Sequence, residues 1–220
     1  MASDNLKRAK NKAHTIYKLA DGTRVPGATT ITGLLNKPYL ITWANNLGLE
    51  GYDAAKYRDE SAEVGTLAHQ MVQDHLMSRT TITSDYSIND ISMAENSLLS
   101  YLEWEKSHTV EPIICEVPMV SEKYRFGGTV DCYCNLDGIP TLLDFKTGKA
   151  VYNEYFVQVA AYEEILEEHG YPVERVKILR IGRTEDEGFE ERGMTDTADY
   201  FDIFMDLLDI YYIKKKLKWS

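Results

Sequence analysis

The sequence predicts an α/β (α+β) fold in which a mixed central β-sheet is flanked by helices and preceded by a helical N-terminal region. Three patterns carry that prediction. Apolar residues recur at helical spacing through Ala62–Met77, the period drops to two between Ile113 and Phe145, and helix, strand and helix patterns then follow one another to the C-terminus.

Taken in order, Met1–Lys12 is a polar, basic tail without an apolar core segment. Thr15–Leu19 reads as a short strand, Asp21-Gly22 as a turn, and Thr29–Leu35 as the entry to a helical region reaching Met77. Within that region Val64, Leu67, Ala68, Met71, Val72, His75 and Leu76 form one apolar arc, and His69 falls at its edge, where a core would meet a cleft. Ile88–Lys106 is a second helix. Ile113–Val120, Tyr124–Leu136 and Ile139–Phe145 are successive strands, the last two joined by the hairpin dipeptide Asp137-Gly138. Asn153–His169 is a helix, Val176–Ile181 a strand, Gly188–Arg192 a further short strand and Asp196–Leu217 a closing helix. The whole reads as one domain over 1–220, with 1–12 a tail, 13–60 an N-terminal helical addition and 61–220 the core.

Composition narrows the chemistry. No stretch approaches the roughly 18 uncharged apolar residues of a membrane span, so a soluble protein of the cytoplasm is expected, with no membrane partner. Three cysteines, Cys115, Cys132 and Cys134, suit a reducing compartment better than a disulfide framework. The formal charge of −11 argues against indiscriminate phosphate binding. Basic residues nevertheless gather in two clusters, Lys7, Arg8, Lys10 and Lys12 at one end and Lys214, Lys215, Lys216 and Lys218 at the other, either of which reads as a solvated tail or a contact to a nucleic-acid backbone.

The hairpin holds the most informative geometry. A two-residue loop at Asp137-Gly138 pairs positions equidistant from it, so Asp131 and Asp144 face each other with Cβ atoms about 5 Å apart. Lys146, two residues on, returns to the same face, while Val130, Cys132 and Cys134 with Leu143 and Phe145 occupy the other. Pro140 beside the turn leaves a slip of one or two residues open. Opposed carboxylates destabilise a sheet unless something positive lies between them, and their oxygens suit Mg²⁺ or Mn²⁺. Such an ion would stabilise charge developing on a phosphodiester and acidify a water molecule able to attack phosphorus, with Lys146 neutralising the transition state. The plain alternative is a salt-bridged sheet in which Asp131 pairs with Lys146 or Arg125.

These residues resemble the RecB-like branch of the PD-(D/E)XK nuclease superfamily, whose restriction-endonuclease-like core has the element order above. Gly65-Thr-Leu-Ala-His69, Gly127-Gly-Thr-Val-Asp131, Asp144-Phe-Lys146 and Gln158-Val-Ala-Ala-Tyr162 are similar to four motifs of that branch, in its order, across roughly half the chain. Val25-Pro-Gly-Ala-Thr-Thr-Ile31 is similar to the opening of its phage and mitochondrial single-strand exonucleases. Position 144 is Asp where many members of the superfamily have Glu, and three cysteines are too few for the iron–sulfur cluster of some relatives. The resemblance implies His69, Asp131, Asp144 and the Phe145 carbonyl as metal ligands, Lys146 as the catalytic lysine, and Gln158 and Tyr162 as further active-site residues one helical turn apart. Read without it, Tyr162 is a core aromatic and Gln158 a solvated residue. Glu116 is an additional acidic candidate.

The implied activity is hydrolysis of DNA, as an exonuclease in recombination, repair or DNA processing in a phage or bacterium, leaving a 5′-phosphate and a 3′-hydroxyl. Tyr39, Trp43, Tyr52 and Tyr57 either stack on bases of a threaded strand or pack a helical core. The alternatives are an endonuclease of the same fold and a catalytically silent module whose acidic surface meets a protein partner. An oligomer would suit processive digestion by analogy.

Overall fold

The fold is described from a computed structural model, over residues 15–219. The N-terminal basic cluster therefore lies outside the described residues. The chain opens with a hairpin of β1 (Tyr17–Lys18) and β2 (Arg24–Val25), continues through α1 (Ala28–Thr32), α2 (Tyr39–Leu49), α3 (Ala54–Leu76) and α4 (Ile88–Glu105), and enters the meander β3 (Val110–Ser121), β4 (Phe126–Leu136) and β5 (Ile139–Lys146). Helix α5 (Glu154–Glu168), β6 (Arg175–Ile181), a 3₁₀ turn at Glu185–Glu187, β7 (Phe189–Met194) and α6 (Ala198–Lys216) complete it.

Local chemistry explains the boundaries. Helix α3 starts eight residues before Ala62, because Asp53 Oδ1 accepts hydrogen bonds from the amides of Ala55 and Lys56. Helix α4 starts at a capping box, in which Ser87 Oγ accepts the Asp90 amide and the Asp90 carboxylate accepts the Ser87 amide. Each cap contributes about 1 kcal/mol.

The main sheet runs β3-β4-β5-β6-β7; only β5 and β6 are parallel, joined by α5 as crossover. Helices lie on both faces, a mixed α/β arrangement consistent with the expected restriction-endonuclease-like core. On one face α1, α5 and α6 bury Ile31, Phe156, Ile165 and Phe204 against Val130, Tyr133 and Leu142. On the other, α3 and α4 bring Val72, Tyr101 and Trp104 onto Cys132, Cys134, Leu143 and Phe145. A large apolar side chain buried in this way contributes about 1.5–3 kcal/mol.

The β4–β5 register is the equidistant one, from Leu136 opposite Ile139 to Cys132 opposite Leu143. Its turn has positive φ at both central residues, 55° at Asp137 and 83° at Gly138, the twist that suits a two-residue hairpin. No slip occurs at Pro140, which pairs with Asn135. One expectation fails: Val130 does not share a cluster with Cys132 and Cys134 but joins Tyr133, three residues away, on the opposite face. Residues three apart on a regular strand face opposite ways, so alternation is interrupted between them. The β3–β4 pairing skips the step between Cys115–Cys132 and Val117–Val130, where Glu116 stands across from Asp131 with φ 53°.

Candidate active site

That interruption sets the aim of Asp131. Its carboxylate turns toward the neighbouring strand, where Oδ2 accepts the Phe145 amide at 2.9 Å and lies 3.5 Å from His69 Nδ1 on α3. Irregular steps of this kind commonly re-aim a side chain beside an active site. The His69 ring also meets the Phe145 ring edge-on, with centroids 6.2 Å apart.

Asp144 lies at the step following Cys132–Leu143 and is fully buried. Lys146 Nζ lies 2.5 Å from its Oδ2, yet neither carboxylate oxygen accepts a hydrogen bond of proper geometry. The contact is thus an ion pair, with lone pairs left over. Nζ also sits 5.1 Å above the Tyr155 ring.

Helix α5 brings the remaining pair. Gln158 Nε2 donates to the Tyr162 hydroxyl at 2.8 Å, so the two act as one unit. Tyr162 is 4% exposed, and a side chain at Gly128 would run into its ring. Gly127 in turn lies under the ring of Tyr17, whose hydroxyl hydrogen-bonds Thr129 Oγ1 at 2.9 Å. The paired glycines thus give room to two aromatics, one on each side of the strand.

The electrostatics follow from burial against charge. Burial, reinforced by Asp131, pushes the Asp144 carboxyl up to about 6 although Lys146 opposes it. Burial also works against ionisation of Asp131, but His69, Lys146 and the Phe145 amide outweigh it and the group stays below its ordinary value. For His69 burial is likewise overcome, by Asp131 first, and its pKa is raised. Lys146 is raised because Asp144 and Asp131 outweigh its burial. Tyr162 is raised well above the usual phenol, by burial and then by Asp144 and Asp131.

The residues present fit a hard divalent cation. Ligand atoms of His69, Glu116 and Asp131 all lie within 4.8 Å of one another, while Asp144, fully buried and paired with Lys146, stands outside that group. Glu116 therefore joins the group. Its signal was the second hairpin: fixing the turn at Glu122–Arg125 places Glu116 opposite Asp131.

Two neighbours escaped sequence reasoning. Tyr155 is one, beneath Lys146. The other is Arg183, whose Nη2 donates to the Ser61 carbonyl at 2.9 Å and to Thr147 Oγ1 at 2.8 Å, tying α3 to the segment after β5. Of the four N-terminal aromatics, Trp43 meets Tyr57 edge-on and Tyr52 meets Tyr57, while Tyr39 stacks on Tyr152 at 5.5 Å. None of the eleven residues of α2 is buried.

Among the described residues no helix is long and apolar enough to cross a membrane. Comparison with protein-family models finds no match, and comparison with curated proteins finds none. Among solved structures, the chain is similar to LHK-Exo in complex with dAMP, with 10% identity, a TM-score of 0.43, and coverage of 88% of this chain and 93% of that one. The alkaline exonuclease LHK-Exo from Laribacter hongkongensis matches with 12% identity and a TM-score of 0.38, over 87% of this chain and 92% of that one. A candidate exonuclease from Eubacterium rectale matches with 15% identity and a TM-score of 0.45, over 69% and 65% of the two chains.

Proposed function

We propose that this chain is a divalent-metal-dependent deoxyribonuclease that works as an exonuclease. The observation that carries the reading is the hairpin: one tight turn places Asp131 and Asp144 at adjoining positions with Lys146 beside them, and α3 and β3 add His69 and Glu116 at ligand spacing. An ordinary salt-bridged sheet has no need of an imidazole and two carboxylates gathered at ligand spacing beside a fully buried third carboxylate.

Under this reading His69, Glu116, Asp131 and Asp144 would hold the ion, with the Phe145 carbonyl added by the resemblance. The ion, when bound, supplies neutralisation of phosphate charge and acidifies water. The protein's own groups do the rest. The Phe145 amide fixes the Asp131 rotamer. Lys146, close to Asp144, neutralises charge that builds on the phosphoryl oxygens. Tyr162, held by Gln158 near both carboxylates, orients the scissile group. Full burial of Asp144 and partial burial of Lys146 limit the screening of these charges by water.

The test is incubation of end-labelled single- and double-stranded DNA with Mn²⁺, Mg²⁺ or EDTA, for wild type, Asp144→Ala and Lys146→Ala. Expected is metal-dependent release of mononucleotides that either substitution abolishes. Cleavage in EDTA, or cleavage surviving both substitutions, overturns the reading. Cleavage of circular single strands would replace exonuclease by endonuclease. The net charge of −11 favours the second reading, a silent binding module, and a wild type inert with every metal would establish it.

A further inference from the structure

Helix α6 carries two apolar faces. One, with Phe204, Leu207 and Leu208, is buried in the core. The other runs through Ile203, Ile210, Ile213 and Leu217, at intervals of seven, three and four residues, which keep to one side of a helix. These four are 43%, 48%, 56% and 63% exposed, so the rest of the described chain leaves them largely uncovered. Charge is divided along the same helix. Asp199, Asp202, Asp206 and Asp209 are exposed before Ile210, whereas Lys214, Lys215 and Lys216 form the last turn and Lys218 lies just beyond it. None of these acidic or basic side chains forms an ion pair among the described residues.

We propose that this outer face is a self-association surface, on which the α6 helices of two copies of the chain pair antiparallel about a two-fold axis in the stretch Ile210–Ile213. A two-fold axis presents one patch to itself, so the patch must be its own complement. Antiparallel pairing meets that condition: the acidic stretch of each copy lies along the basic end of the other, and the isoleucines meet at the centre. Parallel pairing would set like charges side by side along the whole helix. The same pattern counts against other occupants. A nucleic-acid backbone or an anionic lipid surface is drawn to the lysines but repelled by Asp202, Asp206 and Asp209 beside the stripe. In a chain of net charge −11 two copies repel one another at long range, and the lysine end of α6 is where an acidic neighbour can approach. The pairing holds whether or not the chain cuts DNA.

The test is sedimentation equilibrium of the full chain in chelator at about 0.15 M salt. Loading runs from about 1 to 300 µM, because one helix per copy makes an interface at the small end of the specific range. Expected is a reversible monomer–dimer equilibrium. Ile210→Asp sets two carboxylates together at the centre and should weaken the dimer by at least about tenfold. Asp206→Lys with Asp209→Lys, and separately Lys214→Asp with Lys216→Asp, each turn the central stretch of α6 to one sign. Each of these double variants should be monomeric alone, and the two mixed in equal amounts should form a heterodimer. Glu95→Lys, the same charge change on α4 across the sheet, should dimerise as wild type, and unchanged unfolding midpoints should show that every variant is folded. A wild type that stays monomeric throughout overturns the proposal. So does a dimer that survives Ile210→Asp, or a pair of folded charge variants that fail to associate when mixed. A monomeric wild type whose binding to duplex DNA or to phosphatidylserine vesicles is lost in Ile210→Asp would give the face to those ligands instead.

Discussion

Gly128→Ala should damage this protein through one ring. The glycine backbone is compatible with alanine, since φ is not in the left-handed region, so in open space the change would be neutral or gain about 0.4–1 kcal/mol from a stiffer unfolded chain. The new Cβ instead falls 2.4 Å from Tyr162 Cε1, far inside van der Waals contact, and approaches Ile165 Cδ1 to 3.5 Å. The ring is 4% exposed and hemmed in by core, so strand and helix must part, at a cost of about 1–3 kcal/mol. For a chain of this length that lowers Tm by roughly 3–10 °C. Tyr162→Ala alone should cost about 3–5 kcal/mol as a buried aromatic truncation, but it removes the atoms that clash. In that background Gly128→Ala should then cost almost nothing, giving a coupling of about 1–3 kcal/mol in a double-mutant cycle. Thermal and urea unfolding of the four proteins measure it. A Gly128→Ala protein as stable as wild type, or additive losses in the double variant, would refute the argument that the second glycine exists to seat this tyrosine.

Other consequences are testable in the same way. Burial opposes ionisation of Glu191, but hydrogen bonds from Lys177 and from Trp104 at 2.7 Å outweigh it and hold its carboxyl below the ordinary range. Its stabilising contribution is therefore complete above pH of about 4.3 and is lost as pH falls through the lower folded value, so Glu191→Gln should reduce Tm at pH 7 and match wild type in strong acid. Arg183→Gln should cost about 1.5–3 kcal/mol by removing charged donors from the Ser61 carbonyl and Thr147, and hydrogen exchange should quicken in the first turns of α3 rather than in β4. Glu116→Gly should raise Tm, since φ 53° costs a side-chain-bearing residue about 1 kcal/mol, while lowering apparent affinity for Mn²⁺ by tenfold or more; a Tm unchanged or reduced would show that the backbone there carries no strain.

The fold was legible where side-chain period and turn chemistry agree. Asp137-Gly138 points to the β4–β5 register, because that dipeptide suits the two positive φ values found in its two-residue turn, and that register carries Asp131, Asp144 and Lys146. The β3–β4 turn offered no such mark: the residue with φ 65° is Arg125, not a glycine, so the place of Glu116 opposite Asp131 was left open. The start of α3 was hidden since Ala54–Ser61 is mostly exposed and its helicity rests on the Asp53 cap rather than on an apolar stripe. Strand β2 is two residues long, too short for any period to register. Arg183 reaches partners 122 and 36 positions away, contacts that exist only after the layers have docked. The expected grouping of Val130 with the cysteines failed for a related reason, since strict alternation holds only while the ladder is regular.

The division of the acidic cluster between layers carries one more implication. His69 belongs to a helix, whereas Glu116, Asp131 and Asp144 belong to strands. A cation shared among them, under the proposed activity, would rivet the α3–α4 layer to the sheet in the manner of a reversible cross-link. Loading would then be readable far from any substrate, as slower hydrogen exchange in the turns of α3 around His69 than in chelator.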